Sequence, residues 1–415
     1  ARDLATGRAV SAVLYEVESS HDCEVYFVAV LTAAYAEDKR KLTAHLNPFC
    51  DAKQECGLCY VTAEGSIDTI HYFWSVLGAP AALSIQTFRD SQLTNISWDA
   101  LRKHKLNEAI FKFSGPVLSS SAVVISKLWE YNDPDNKAKM NSTVVNGTHV
   151  IDQSHLLWRS IEGCVGNGSS IVTATFIANG TKSTRDEGFF SRNGTIQFTL
   201  EVRDSDGHDT QLPHLFYTSN SSQMQLSLLD LSPQLGKTSQ FAFELTILDD
   251  SSQNGSYSIS KETTFDDEYT PGVFTNVVAV FDVQENSTST FYLHWKPVCY
   301  RDSGRTVTLS VDAAIHNSTP AAGWWTFNVA TAWLTSRVPL VASTAISVSF
   351  GSEGDGWYQE NRYAIWAMSA GFGVLPEEHV SATVLSVTSV GLGIPAIVAL
   401  GTVIYVSLHK PEPKL

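Results

Sequence analysis

Three consecutive acidic residues, Asp266, Asp267 and Glu268, are the strongest candidates for acid–base chemistry in this chain. Two carboxyl groups on either side of a glycosidic bond can hydrolyse it, one as the acid and the other as base or nucleophile. Neighbouring side chains of an extended segment point in opposite directions, so this trio would need another acid facing it. Residues 264–265 and 269–271, which flank the trio, are typical of a loop with aromatic anchors. An acid hydrolase is therefore an alternative interpretation rather than the favoured one.

A second polar segment, residues 204–209, has the oxygen density of a calcium loop, but its order does not match the EF-hand pattern. It lies between an alternating apolar pattern and Pro213, so we expect a hairpin turn there. The chain has no Gly-x-Ser-x-Gly, His-Glu-x-x-His or P-loop motif, and its twelve histidines form no spaced ligand set. We predict no catalytic residues, no cofactor and no metal.

Cysteines offer a third kind of chemistry, because Cys56 and Cys59 are spaced as in redox and zinc motifs. A redox pair should open a helix, whereas residues 60–62 favour a strand, and a zinc site would need a second ligand pair that the sequence lacks. We predict local disulfide bonding within Cys50–Cys59, with at least one thiol free or paired between chains. Cys23 is set aside because it lies within residues 1–36, which are predicted below to be a targeting segment. The disulfide candidates are Cys50, Cys56, Cys59, Cys164 and Cys299.

Asparagine sequons are far more numerous than expected. The chain has 17 asparagines and ten Asn-x-Ser/Thr tripeptides, where composition alone would give about three or four. A used sequon must lie on the surface of a secreted or lumenal domain, so the set predicts dense N-glycosylation. The predicted sites are Asn95, Asn141, Asn146, Asn167, Asn179, Asn193, Asn220, Asn254, Asn286 and Asn317.

An uncharged apolar segment near the C-terminus predicts a transmembrane helix over residues 380–408. About 20 apolar residues are enough to cross a bilayer, and a buried core helix of this length would rarely lack a charge. Acidic residues 377–378 precede the segment, while Lys410 and Lys414 follow it. Because positive charge stays in the cytosol, residues 409–415 are predicted to be a cytosolic tail and the preceding domain to be lumenal or extracellular.

Small residues within the predicted span indicate a face for packing against another membrane helix. Small side chains spaced four residues apart let two helices approach closely, and an internal proline can bend a helix. Glycine and proline are also simply more common in membrane helices, which is the competing explanation. The predicted packing residues are Ala382, Ser386, Ser389, Gly391, Gly393 and Pro395.

The N-terminal part reads as a targeting segment. Residues 25–33 form a short apolar run that ends at an Ala-x-Ala site, as in a signal peptide. We assign residues 1–36 to this segment, with the first 20 or so either upstream of the true start or part of a fragment. Residues 37–379 are then the glycosylated lumenal domain.

The lumenal domain is predicted to be mostly β. Apolar and polar residues alternate over 196–202, 241–247, 291–295, 307–311 and 346–350, and Asn-Gly or Asp-Gly turns separate many of the runs. A period of two predicts strands with one buried face, and many short strands at this spacing favour a β-sandwich. One large sandwich and two packed sandwiches both remain open.

Helical periodicity is scarce, and the best short candidate spans residues 98–110. The Asn- and Ser-rich stretch at 132–150 is the best candidate for a boundary within the domain, although one glycosylated loop would look the same.

Composition sets limits on function. The chain has 415 residues, 43 acidic against 28 basic side chains, and a formal charge of −15, which argues against a nucleic-acid-binding protein. Its 44 aromatic residues are enough for a packed core. If all twelve histidines were protonated in an acidic compartment, the charge would fall from −15 to about −3.

Several sequence blocks, in the same order along the chain, resemble the glycosylated lysosomal membrane protein family. The Asp-Asp-Glu-Tyr block together with the C-terminal span is the most specific part of the resemblance. The blocks are His71–Gly78 (HYFWSVLG), Phe265–Phe274 (FDDEYTPGVF), Trp295–Tyr300 (WKPVCY), Phe350–Gly351, Gly356–Tyr358, Trp366–Ser369 and, in the span, Gly391–Pro395.

The resemblance implies a type I, single-pass lysosomal membrane protein without catalysis. It implies an accessory subunit of a multi-span major-facilitator transporter that exports dipeptides, with the glycosylated lumenal domain shielding that transporter from proteases. The family's tyrosine sorting signal has no accessible counterpart, since Tyr405–Leu408 lies at the membrane. The expected partners are the transporter and the membrane, with self-association open and no nucleic acid. The alternatives are a membrane-anchored lumenal acid hydrolase and a cell-surface adhesion or receptor ectodomain.

Overall fold

A computed structural model describes residues 39–51, 56–106, 108–140, 147–250, 256–265, 273–282, 290–316, 319–320, 327–338, 341–373 and 382–408. Contacts group residues 38–376 into one compact unit, and a second unit contains the C-terminal helix. The predicted mostly-β fold with one C-terminal apolar helix is confirmed.

The described part of the compact unit contains 24 strands and three short α-helices. The first twelve strands are β1 (Lys41–Leu46), β2 (Leu58–Glu64), β3 (Asp68–Ser75), β4 (Ala81–Phe88), β5 (Leu93–Ile96), β6 (Phe111–Phe113), β7 (Val117–Asn132), β8 (Thr148–Ile151), β9 (Leu156–Gly163), β10 (Gly166–Asn167), β11 (Ile171–Thr181) and β12 (Thr195–Arg203). The others are β13 (Gly207–His208), β14 (Phe216–Tyr217), β15 (Ser221–Leu229), β16 (Ser239–Asp249), β17 (Ser256–Phe265), β18 (Val273–Asp282), β19 (Phe291–Trp295), β20 (Val298–Tyr300), β21 (Ser310–Ile315), β22 (Thr319–Pro320), β23 (Ala342–Phe350) and β24 (Tyr363–Phe372). The helices are α1 (Trp98–Arg102), α2 (Val329–Arg337), α3 (Tyr358–Asn361) and, in the second unit, α4 (Ala382–Leu408).

The strands form two large antiparallel sheets. In the first, the order is β10, β1, β2, β3, β4, β7, β16 and β23, with β8 beside the C-terminal half of β7. In the second, the order is β9, β11, β12, β15 and β24, after which β19, β18 and β17 follow. Strands β20 and β21 connect the second sheet to β23 of the first. The stretch 132–150 therefore joins two paired strands, β7 and β8, of one sheet.

The main core lies between the two sheets. Phe243 of the first sheet contacts Trp366 of the second, with ring centroids 4.7 Å apart, and Trp295 packs 6.2 Å from Trp366. All three side chains are at most 1% exposed. Burying a large aromatic side chain stabilises the fold by about 2–3 kcal/mol, so this layer accounts for much of the stability.

The first sheet is buried on both faces, which hides the alternating signal in its centre. On β2 and β3, Val61 and Tyr72 face the main core, whereas Tyr60 and Phe73 face a second apolar cluster. Helices α1 and α2 and the β5–β6 hairpin supply the other side of that cluster. Sequence reasoning missed this third layer because helices of five and nine residues carry too little periodicity.

Two local predictions were wrong. The helix expected over 98–110 ends at Arg102, and His104 follows in the left-handed conformation with φ of 50°. The alternating run 307–311 begins with a 3-10 turn at Val307–Leu309 before β21 starts at Ser310. In both segments the apolar pattern was misleading, because Leu106, Val307 and Leu309 are exposed rather than buried on one face of a regular element.

Candidate functional site

The described sequon asparagines are distributed over both large sheets and the β5–β6 hairpin. Four of the five, Asn95, Asn167, Asn179 and Asn193, are exposed, and they lie on β5, β10 and β11 and in the turn before β12. Such positions can carry a glycan without disturbing the core. The other five predicted sites, at Asn141, Asn146, Asn254, Asn286 and Asn317, lie outside the described residues.

The fifth described sequon asparagine, Asn220, is half-buried and has a structural partner. Its Oδ1 accepts a hydrogen bond from Nε of Arg40 at 2.7 Å, and the same guanidinium pairs with Asp68 at 2.8 Å. This contact uses the amide oxygen, whereas a glycan attaches to the nitrogen. A glycan at Asn220 is therefore compatible with the Arg40 contact.

Two disulfides tie down the N-terminal strands. The predicted local bond is found as Cys50–Cys56, but Cys59 reaches across 105 residues to Cys164. The redox and zinc interpretations of the Cys56–Cys59 spacing are therefore wrong, because the two sulfurs belong to different bridges. Cys299 is free and buried, and burial raises the pKa of its thiol to about 12. Burial therefore disfavours the thiolate, which is the reactive form of cysteine.

The candidate acid–base residues give no site within the described structure. Asp266, Asp267 and Glu268 lie outside the described residues. In the segment 204–209, β13 pairs with β14 in the expected hairpin, and Asp206 accepts a hydrogen bond from the backbone N–H of Ser219 at 2.7 Å. No group of three His, Cys, Asp or Glu side chains able to hold a metal occurs among the described residues.

A buried chain of hydrogen bonds links side chains of β2, β3 and β4 through His71, which is 1% exposed. Nδ1 of His71 lies 2.7 Å from the Tyr60 hydroxyl, and Nε2 lies 2.9 Å from the Thr87 hydroxyl. Thr87 donates its single hydroxyl hydrogen to the carbonyl of Phe88 at 3.0 Å, so it must accept from Nε2–H. We therefore assign the Nε2–H tautomer, with Tyr60 donating to Nδ1.

Burial keeps two of the histidines neutral in an acidic compartment. It lowers the pKa of His71 to about 3 and that of His294 to about 4. At about pH 5 both imidazoles are mostly uncharged. Because these two imidazoles stay uncharged there, the formal charge of the chain does not fall as far as the −3 expected for twelve protonated histidines.

Glu130, on β7, is a buried carboxyl group with the opposite response. Its Oε1 accepts hydrogen bonds from the backbone N–H groups of Gln234 and Leu235 at 2.7 and 2.9 Å. Burial raises the pKa of Glu130, and the hydrogen bond from Leu235 opposes that shift. A raised carboxyl pKa favours the fold at acidic rather than neutral pH.

A cleft of about 490 Å³ opens where β1, β2 and β3 emerge from under the third layer. Its walls include threonine hydroxyls, the rings of His45 and Tyr60, and the ion pair between Glu64 and Arg89, whose charged atoms are 3.1 Å apart. Phe49 stands at the rim and is 56% exposed. The volume falls in the range of small-ligand sites. Sequence reasoning missed this cleft because its residues lie on four strands and two loops.

The helix α4 presents mostly apolar side chains over the part of its length whose side chains are described. None of the window Val387–Tyr405 is buried, and no heavy atom lies within 4 Å of a Cβ built at Gly391 or Gly393. The helix continues through Pro395, and Ser389 is exposed. The side chains of Ala382 and Ser386 lie outside the described residues.

These features define a class of protein: a disulfide-bonded β-domain with surface sequons, followed by one helix long and apolar enough to cross a membrane. Residues 57–412 match the family model described as Glycosylated lysosomal membrane protein. The chain therefore belongs to the glycosylated lysosomal membrane protein family. Accordingly, it is a lysosomal membrane glycoprotein with a single-pass C-terminal anchor and a large N-terminal domain.

Individual relatives agree over nearly the full length. Glycosylated lysosomal membrane protein A of Xenopus laevis is 26% identical over 92% of this chain and 94% of its own length. The Danio rerio protein of the same description is 25% identical over 90% of each chain. The Homo sapiens protein is 25% identical over 86% of this chain and 84% of its own.

Proposed function

We propose that this protein is a non-catalytic accessory subunit of a multi-span major-facilitator transporter of the lysosome, one that exports dipeptides. Its membrane helix binds the transporter, and its glycosylated lumenal domain shields the transporter from proteases. The observation that carries this proposal is the helix α4, whose window Val387–Tyr405 is apolar and entirely exposed.

The residues of α4 suit packing against a neighbouring helix. Gly391 and Gly393 leave the backbone open on their side of the helix. Dispersion contacts between close backbones drive helix association in a bilayer, where there is no hydrophobic force between helices. Leucine at such a position would hold the partner helix away.

The described part of the lumenal domain suits a protective role because most of its backbone is hydrogen-bonded in paired strands. Cleavage requires local opening of a segment, and the Cys59–Cys164 bridge and the two-sheet core make such opening rare. Glycans on exposed asparagines such as Asn179 and Asn193 would further limit access.

Native co-purification in mild detergent, with mass spectrometry of the retained proteins, tests the association. The wild-type chain is expected to retain one multi-span transporter, and Gly393→Leu is expected to lose most of it. Val398→Leu, a change at an exposed apolar position on another face of α4, is the matched control and should retain it. Equal retention by all three chains, or no transporter in any of them, would contradict the proposal.

A further inference from the structure

The floor of the cleft is a single row of residues across neighbouring strands. Thr43 on β1 pairs with Thr62 on β2, and Thr62 pairs with His71 on β3. Directly paired residues in antiparallel strands project from the same face of the sheet. All three residues line the cleft.

The next residue in this row is a glycosylation sequon. Asn167 on β10 pairs with Thr43 on its other side, so its side chain projects from the face that forms the cleft. Strands are spaced by about 4.8 Å, which places the backbone of Asn167 roughly 5 Å from that of Thr43 and roughly 10 Å from that of Thr62. Asn167 is exposed, and no heavy atom lies within 4 Å of a Cβ built at Gly168.

The cleft has the chemistry that binds a sugar ring. A pyranose has an apolar C–H face that packs on aromatic rings and a rim of hydroxyls that pair with planar polar groups. His45 stacks with Tyr60 at a centroid distance of 6.4 Å, and Glu64 and Arg89 provide a carboxylate and a guanidinium. The hydroxyls of Thr43 and Thr62 complete the polar floor.

The loop at the cleft rim is built to hold an aromatic ring outwards. Phe49 has a φ of 58°, a left-handed conformation that is costly for a bulky residue. The loop is fixed on both sides, by the Cys50–Cys56 bridge and by a 2.9 Å hydrogen bond from Nε1 of Trp98 to the carbonyl of Pro48. A phenylalanine that is 56% exposed is thus held beside the cleft at a conformational cost.

We propose that this cleft binds the first N-acetylglucosamine residues of the glycan carried by Asn167 of the same chain. Attachment at Asn167 replaces a bimolecular event with an intramolecular one. If the cleft binds the free sugar with a dissociation constant of about 1 mM, and attachment gives an effective sugar concentration of about 10 mM, the glycan is undocked roughly a tenth of the time. The docked sugar covers the outer face of β1–β3 and fixes the direction of this glycan.

Enzymatic release of glycans from the native full-length protein tests the docking. Peptide-N-glycosidase must reach the core sugars, so release at Asn167 should be about tenfold slower than at Asn179, an exposed sequon away from the cleft. Phe49→Ala should bring the Asn167 rate up to that of Asn179, with an unchanged unfolding temperature as the control for folding. An unoccupied Asn167, or equal release at both sites in the wild type, would overturn the proposal.

A second measurement separates the chain's own glycan from an outside sugar. Saturation-transfer NMR with free chitobiose should show binding to Asn167→Gln, whose cleft is vacated, and about tenfold weaker binding to the wild type. Equal binding to both proteins would show that the Asn167 glycan does not occupy the cleft, and no binding to Asn167→Gln would show that the cleft does not recognise this sugar. Either result would contradict the proposal.

Discussion

At the scale of single residues, His71 shows how the fold tolerates an acidic compartment. Its imidazole holds Tyr60 and Thr87 through one defined tautomer, and burial lowers its pKa to about 3. A histidine whose folded pKa lies below its unfolded value stabilises the fold fully above that unfolded value, about 6.5. The contribution falls as pH decreases from about 6.5 to 3.

His71→Gln is expected to make stability less dependent on pH. Between about pH 6.5 and 5, the His71 contribution in the wild type falls by about 2 kcal/mol, and glutamine, which does not titrate, removes that loss. Urea unfolding of both proteins at pH 7 and pH 5 measures the difference. The variant will be less stable at pH 7 because it repacks a buried site, so only the change between the two pH values bears on the prediction. An identical change in both proteins would contradict it.

Residue types predicted some sites but not their environments. The sequons and the span could be recognised because each is a local pattern, and the exposed Asn95, Asn167, Asn179 and Asn193 fit the first pattern. The His71 chain and the Cys59–Cys164 bridge could not be predicted, because they join residues far apart in sequence through strand pairing.

At the scale of elements, the Cys59–Cys164 bridge links β2 of the first sheet to the segment between β9 and β10. Closing a loop of about 100 residues lowers the entropy of the unfolded chain by an amount equivalent to about 4.7 kcal/mol, against less than about 3 kcal/mol for a short loop. The long bridge is therefore the more important of the two.

Replacing both Cys59 and Cys164 with serine should destabilise the lumenal domain by about 4 kcal/mol. The matched control has serine at both Cys50 and Cys56. It removes a bridge between residues only six apart in sequence, so it should destabilise the domain less. Denaturant unfolding of the three proteins at the same pH gives the comparison. Equal losses in the two variants would argue against an effect of loop length.

Helix α2 depends on a capping box that the sequence could have revealed. The Asn328 side chain accepts hydrogen bonds from the backbone N–H groups of Ala330 and Thr331, each at 2.9 Å. In return, the Thr331 hydroxyl accepts a hydrogen bond from the backbone N–H of Asn328 at 3.1 Å. Asn328→Ala is expected to cost about 1 kcal/mol, measured by thermal unfolding. Asn361→Ala, at the end of α3, is a control expected to have little effect. A loss at Asn328 no larger than at Asn361 would contradict the role of the cap.

Strands could be predicted from the sequence where one face is exposed to solvent, and could not where both faces are buried. The run 196–202 alternates as it does because β12 has one half-exposed face. All eight residues of β3 are buried, since apolar layers cover both of its faces, so no alternation marks it. Short helices such as α2 were hidden for the same reason, because residues 329–334 are all buried.

At the scale of the whole molecule, one chain joins a domain that buries its apolar residues to a helix that exposes them. The lumenal part holds a two-sheet core with a third apolar layer, while α4 has the composition of a membrane helix. The whole chain has 43 acidic against 28 basic residues, and two buried histidines with lowered pKa values add little positive charge in an acidic compartment. Solubility there would come from carboxylates and from glycans on the sequons.

The proposed shielding role makes a prediction that separates it from simple membrane anchoring. A chain in which the exposed sequons are removed by Asn95→Gln, Asn167→Gln, Asn179→Gln and Asn193→Gln should still bind the transporter through α4 but protect it less. The transporter's half-life in lysosomes should then be intermediate between those with the wild-type chain and with none. A half-life equal to that with the wild-type chain would show that these glycans do not contribute.

The central claim is tested most directly by the half-life of the co-purified transporter in lysosomes of cells that lack this protein. The account predicts a shorter half-life, restored by re-expressing the wild-type chain and by adding inhibitors of lysosomal proteases, but not by Gly393→Leu. An unchanged half-life in its absence would contradict the account.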